Sequence, residues 1–196
     1  LAGIREGTRT DAAIQAFNLL GLSAPVFWIG LMLLVGASAW LQWSPPFAYM
    51  PPGVDLVENI NIIILPVLSL SLLQAAAYSH FVRDTMVAEL RKEYVRAAIA
   101  KGLAPRQVYF KHALRNILIP LVTFVGLILI QILGGAVVIE SLFSLPGLGR
   151  LILSGIQGRD YPVVQGVVLV FAFLFVLVNL LADVGVKALD PRIRYE

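Results

Sequence analysis

The chain has 196 residues, 59% of them hydrophobic and only 14% charged, with a formal net charge of +3 at pH 7 and no cysteine. Soluble domains run near 45–50% apolar and about 25% charged, and a chain of this size cannot hide so much apolar surface in one core. Together with a mean hydropathy of +0.85, this excludes a soluble enzyme, a disordered chain, a nucleic-acid-binding tail and a disulfide scaffold as descriptions of the whole.

The opening residues 1–18 are polar, with Arg5, Glu6, Arg9 and Asp11, and show no signal-peptide pattern. The start at Leu1 rather than Met reads as a fragment or a processed product. Four stretches then follow that are long and apolar enough to cross a bilayer as helices: 19–41, 60–78, 117–139 and 163–183. None contains Lys or Arg, as expected when a cation at mid-bilayer costs about 2.5–3.5 kcal/mol. Strands would leave backbone groups unpaired in lipid, so the fold expected is an all-α integral membrane bundle of four transmembrane helices.

The fifteen Lys and Arg residues are unevenly placed. Arg5 and Arg9 precede the first span, and the loop after it has none. The loop 79–116 carries Arg83, Arg91, Lys92, Arg96, Lys101, Arg106, Lys111 and Arg115. Arg150 and Arg159 follow the third span, and Lys187, Arg192 and Arg194 the fourth. Basic loops stay in the cytoplasm, so both ends and the 79–116 loop are expected inside.

Within that loop Val82, Met86, Leu90 and Tyr94 recur every four residues and mark one helix face. Glu89 with Lys92, and Glu93 with Arg96, are spaced to pair on the polar side. Gly102 interrupts the pattern, and Pro105 suits the first turn of a shorter helix with Ala104 as a weak N-cap. This is helix, glycine-centred turn, helix. Three readings compete: a solvated connector on the lipid surface, a DNA-binding helix-turn-helix, and a docking element whose small residues Ala97-Ala98-Ile99-Ala100 fit a partner's groove.

The stretch Glu93-Tyr94-Val95-Arg96-Ala97-Ala98-Ile99-Ala100-Lys101-Gly102-Leu103, continued by His112-Ala113-Leu114-Arg115-Asn116 to Pro120, resembles the EAA loop of ATP-binding-cassette importer permeases. It is most similar to the dipeptide/oligopeptide/nickel branch. Gly7-Thr8-Arg9-Thr10-Asp11, Ser23-Ala24-Pro25-Val26-Phe27-Trp28, the run from Glu140 to Gly149, Arg159-Asp160-Tyr161-Pro162 and Leu189-Asp190-Pro191-Arg192 resemble other passages of that family. Tyr94-Val95-Arg96 intervenes between the glutamate and the paired alanines of the general signature, as is usual in the peptide branch. Family members usually carry an earlier span, an extracellular segment and a further span before the stretch resembling Gly7-Thr8-Arg9-Thr10-Asp11, and the resemblance implies that this chain is a fragment without them.

The resemblance implies a type I importer permease fold, a partial transmembrane domain over 1–196, and a coupling helix that docks on an ATPase subunit through Glu93, Arg96, Ala97, Ala98, Lys101, Gly102 and Leu103. It implies two ATPase subunits, a second homologous permease and an extracytoplasmic substrate-binding protein as partners. The location implied is the plasma (inner) membrane of a bacterium or archaeon, and the cargo peptides or a related small solute.

No catalytic, metal or cofactor site is expected in the chain itself. There is no GxxxxGK[ST] loop, His80 and His112 are too far apart to pair on a metal, and Gly147-Leu148-Gly149 reads as a turn; ATP would be bound by partner subunits. Polar residues within spans normally face a bundle interior or water. Thr123 and Gln131, beside Gly134 and Gly135, and Gln165 and Asn179, on a seven-residue stripe with Ala172, are therefore candidates for a translocation path, with helix packing as the competing role. The outward segment 140–162 either folds back into the membrane or faces a delivering protein. Rival readings are part of an ion-coupled secondary transporter, which would need repeats and mid-membrane ionisable groups, and a non-transporting membrane scaffold.

Overall fold

The computed structural model describes residues 2–46 and 48–189. Every regular element among them is helical: α1 (Arg9–Ser23), α2 (Val26–Leu41), α3 (Leu56–Leu90), α4 (Glu93–Ala100), α5 (Pro105–Gln107), α6 (Leu114–Leu142), α7 (Leu148–Gln157) and α8 (Tyr161–Leu189). A 3₁₀ turn lies at Ala2–Ile4, and a π-helical stretch at Val108–Ala113 joins α5 to α6. The ending Asp190-Pro191-Arg192, with Arg194, falls outside the described residues.

Three helices are long and apolar enough to cross a membrane alone: Leu56–Leu90, Pro105–Leu142 and Tyr161–Lys187. The expected first span is broken. Leu19 through Leu22 belong to α1, Pro25 disfavours helix at Ala24, and α2 restarts at Val26. At 16 residues α2 is only about 24 Å long, so a fourth crossing exists only if α1 and α2 count as one broken span. The helices that contain the other expected spans extend beyond them, because apolarity marks the part fit for lipid and not where the helix ends. α3 runs on through Pro66 and past Tyr78 to Leu90, and the helix containing the third span starts at Pro105.

The chain divides into two compact units. One holds Leu1–Leu22, Ala75–Ile128 and Val178–Glu196, the other Ser23–Gln74 and Leu129–Leu177. In the first, Met86, Ala113 and Ile117 form a core against which Ile4, Val82, Leu90 and Leu114 pack. Phe81 stacks on Phe124 with centroids 4.1 Å apart, and Tyr78 meets the same ring edge-on at 5.8 Å, fastening α3 to α6.

α1 starts at Thr8, whose hydroxyl accepts the Asp11 N–H at 3.3 Å, while the Asp11 carboxylate accepts the Gly7 N–H at 3.0 Å. That carboxylate is buried and takes both Arg83 Nε and an Arg83 terminal nitrogen, at 2.7 and 2.9 Å. Asn18 is also buried; with its amide turned to the orientation its neighbours favour, the nitrogen donates to Ser79 Oγ at 3.0 Å. Arg91 pairs with Glu6 at 2.7 Å. The polar opening stretch is thus a helix strapped to the polar end of α3.

In the second unit the 140–162 segment folds as a helical hairpin. Glu140 turns back so that its carboxylate accepts the Arg150 N–H at the start of α7, at 3.1 Å. A side chain at Gly147 would collide with that carboxylate, and one at Gly149 would strike the Val137 backbone. The paired glycines therefore serve a helix start pressed against α6 rather than a free turn. Asp160 Oδ1 accepts the Val163 N–H at 3.2 Å and caps α8, with Pro162 in its first turn.

Candidate functional site

α4, the turn after it and the helix that follows form a hairpin with its own small core. Lys92 is extended, at ψ 150°, and starts α4; Glu93 sits in the first turn, where a negative charge favours the helix dipole. One side of α4, Val95 and Ala98, is buried against Val108, with Leu90, Leu103 and Tyr109 packed around them.

The helix ends in a Schellman motif. The Gly102 N–H donates to the Ile99 carbonyl at 2.9 Å, and the Leu103 N–H reaches back to the Ala98 carbonyl at 3.3 Å. This closure needs a left-handed residue, and Gly102 has φ +79°. Leu103 packs on the buried cluster around Ala98, the apolar contact that accompanies such a cap. Ala104 then starts α5 without a side-chain cap, and Pro105 follows it.

Of the seven docking residues expected from the sequence, Glu93, Arg96, Ala97, Lys101 and Gly102 are exposed on the outer face and tip. Ala98 is turned inward and Leu103 is half-buried, so both hold the hairpin's shape. Ile99, absent from that set, is 57% exposed beside exposed Ala100. The outer surface is therefore a small apolar tip edged by Glu93, Arg96 and Lys101. Glu93 and Arg96 form no ion pair among the described residues, whereas Lys92 does reach Glu89, at 2.6 Å.

A polar cluster stands behind the tip. The Val82-Met86-Leu90-Tyr94 face is not one helix, because α3 ends at Leu90 and Tyr94 belongs to α4. The break brings the Tyr94 hydroxyl round to donate to Glu89 Oε1 at 2.7 Å. The Asn116 amide donates to the same oxygen, and also to the Tyr94 hydroxyl, each at 3.0 Å. Glu89 itself is buried. Burial pushes its carboxyl up, but donation from Lys92, Tyr94 and Asn116 outweighs this and holds it below the usual glutamate value. Burial, and then the Glu89 carboxylate, push the Tyr94 phenol up to about 12.

The four candidate path residues are divided between the two units. Thr123 and Asn179 fall in one unit, Gln131 and Gln165 in the other. Thr123 is exposed, its hydroxyl 3.4 Å from the Ile119 carbonyl, Gln131 and Gln165 are exposed, and Asn179 is half-buried. Sequence reasoning passed over Gln74, which is buried in α3 with its Oε1 lacking a hydrogen-bond partner among the described residues. The signal was there: an amide inside the apolar stretch 60–78.

Three membrane-capable helices and a folded polar hairpin between two of them define an integral membrane protein of the all-α class. Residues 1–195 match the family described as binding-protein-dependent transport system inner membrane component, and the chain belongs to that family. It is 37% identical over its whole length to 62% of a probable peptide ABC transporter permease protein of Sinorhizobium fredii. Identity is 36%, over 100% of this chain and 64% of the relative, with the di/tripeptide transport system permease protein DppB of Pseudomonas aeruginosa. It is 38%, over 95% and 59%, with a putative peptide transport system permease protein of Brucella abortus. The chain spans about three-fifths of the length of these curated relatives.

Proposed function

We propose that this chain works as a membrane-spanning permease subunit of an ATP-binding-cassette importer. It carries out no hydrolysis; two ATPase subunits supply the energy, a second homologous permease completes the path, and a soluble binding protein delivers cargo outside. Three similar proteins are named for peptide or di/tripeptide transport, so peptides or a related small solute are the proposed cargo. The distribution of Lys and Arg favours a cytoplasmic hairpin.

The observation that carries the reading is the hairpin tip. Exposed Ala97, Ile99, Ala100 and Gly102, with charges at its rim, offer close contact to a concave partner, and the buried face of Val95 and Ala98 keeps the tip rigid enough to bear a push. ATP binding would close the ATPases on this tip and rock the spans between inward- and outward-open states, with Thr123, Gln131, Gln165 and Asn179 along the path.

The reading is tested by co-purification. An ATPase subunit is expected to travel with the wild-type chain and to be lost with Gly102→Val or Glu93→Lys. Transport by the chain with no ATPase present would end the proposal. Because the sequence has no cysteine, single cysteines at Gln42, Lys101 and Gly158 report topology directly, and labelling of Lys101→Cys from outside would reverse the proposed orientation.

A further inference from the structure

The tip can transmit force only if α4 is joined firmly to the helices that enter the membrane. The backbone joint from α3 to α4 is weak, since Arg91 and Lys92 interrupt the helix and Lys92 is extended. At the other end α4 passes through a glycine turn into the helix that starts at Pro105 and runs on as α6. The apolar contacts of α4 centre on two short side chains, Val95 and Ala98. What bridges the break is Glu89, on the last turn of α3. Its Oε1 accepts from Tyr94 on α4 and Asn116 on α6, its Oε2 meets Lys92, and Asn116 also donates to Tyr94. Three elements meet on one buried carboxylate.

We infer that Glu89, Tyr94 and Asn116 form a positioning clamp that makes the end of α3, the start of α4 and the start of α6 move together, so that displacement of the tip reaches two membrane helices at once. The inference rests on the permease reading and deepens it. The clamp lies behind the contact surface, so cutting it leaves ATPase docking in place and uncouples ATP use from transport. Hydrogen-bond geometry, rather than charge, does the joining: a glutamine at 89 keeps an Oε1 acceptor for Tyr94 and Asn116 and loses only the contact with exposed Lys92.

The test uses the complete transporter in proteoliposomes, with ATP hydrolysis and uptake of a tritiated tripeptide measured on the same vesicles. Glu89→Ala is expected to lower uptake per ATP at least tenfold while nucleotide still protects a Lys101→Cys label. Glu89→Gln is expected to recover half or more of the wild-type ratio. Tyr94→Phe keeps the fold's bulk and removes one donor, and is expected to lower the ratio about three- to fivefold, so the inference stays exposed should the alanine variant fail to assemble. Ratios unchanged in Glu89→Ala or Tyr94→Phe, or a glutamine variant as uncoupled as the alanine one, would overturn the clamp and leave the permease reading standing. Absence of ATP-driven uptake and of nucleotide-dependent protection in the wild type would overturn both.

Discussion

Gly102 stands in open space: apart from its chain neighbours, no atom of the described residues lies within 4 Å of where a Cβ would point, yet its φ of +79° is one that side chains resist. Gly102→Ala is therefore a backbone change only and should destabilise the hairpin by about 1–2 kcal/mol, with Gly102→Asn costing less because asparagine tolerates the left-handed region. Faster tryptic cleavage at exposed Lys101 and Arg106, in the order Ala, Asn, wild type, checks this. Tyr94 makes a second prediction at the same scale. Its folded pKa, about 12, lies above the unfolded phenol value near 10. A raised pKa gives stability that is complete below the unfolded value and lost as pH rises through the folded one. Hairpin stability should thus not change through Tyr94 ionisation below pH ~10 and should fall between ~10 and ~12. A difference titration at 295 nm against Tyr94→Phe should show one phenol ionising near pH 12; ionisation at an ordinary pH would mean that the phenol is neither desolvated nor bonded to Glu89.

Among whole elements, α1 is fastened by a buried pair whose arginine is hard to lose alone. Removing Arg83 strands the buried Asp11 carboxylate, whereas removing Asp11 leaves the guanidinium its second partner, Asp84, at 3.0 Å, and removing both Asp11 and Arg83 leaves no buried carboxylate unpaired. The expected order of thermal stability in detergent is wild type, then Asp11→Ala with Arg83→Met, then Arg83→Met alone. A double variant less stable than Arg83→Met alone would contradict this. α7 depends on shape instead. A methyl at Gly149 would occupy the Val137 backbone position, so Gly149→Ala should lift α7 from α6 at about 1–3 kcal/mol, seen as faster trypsin cleavage at Arg150.

Over the whole molecule, α8 shows what surrounds it: Leu169, Phe173, Val176 and Leu181 are each more than 60% exposed, a surface suited to lipid tails. Phe173→Lys should reduce membrane insertion of this helix by about 2.5–3.5 kcal/mol, measured as the inserted fraction. The apolar runs made the membrane helices legible in the sequence, and Gly102 with Pro105 made the hairpin legible, because each rests on a local signal. What was not legible depends on contacts across the fold. Ala98 and Ile99 are neighbouring apolar residues, and only the position of Val108 decides which turns inward. Tyr94 fitted the four-residue repeat of α3, but Glu89 and Asn116 hold it on another helix. Gln74 was readable as an anomaly but not as a buried, unpartnered one.

The strap between Asp11 and Arg83 joins residues 72 apart in sequence. A ribosome adding about 5–20 residues per second delivers the arginine roughly 4–14 s after the aspartate. For that interval nascent α1 has no latch, and its docking must wait until the matching cation emerges. Maturation of this chain therefore has a built-in delay, and a stalled translation product ending before Arg83 should leave α1 open to proteases.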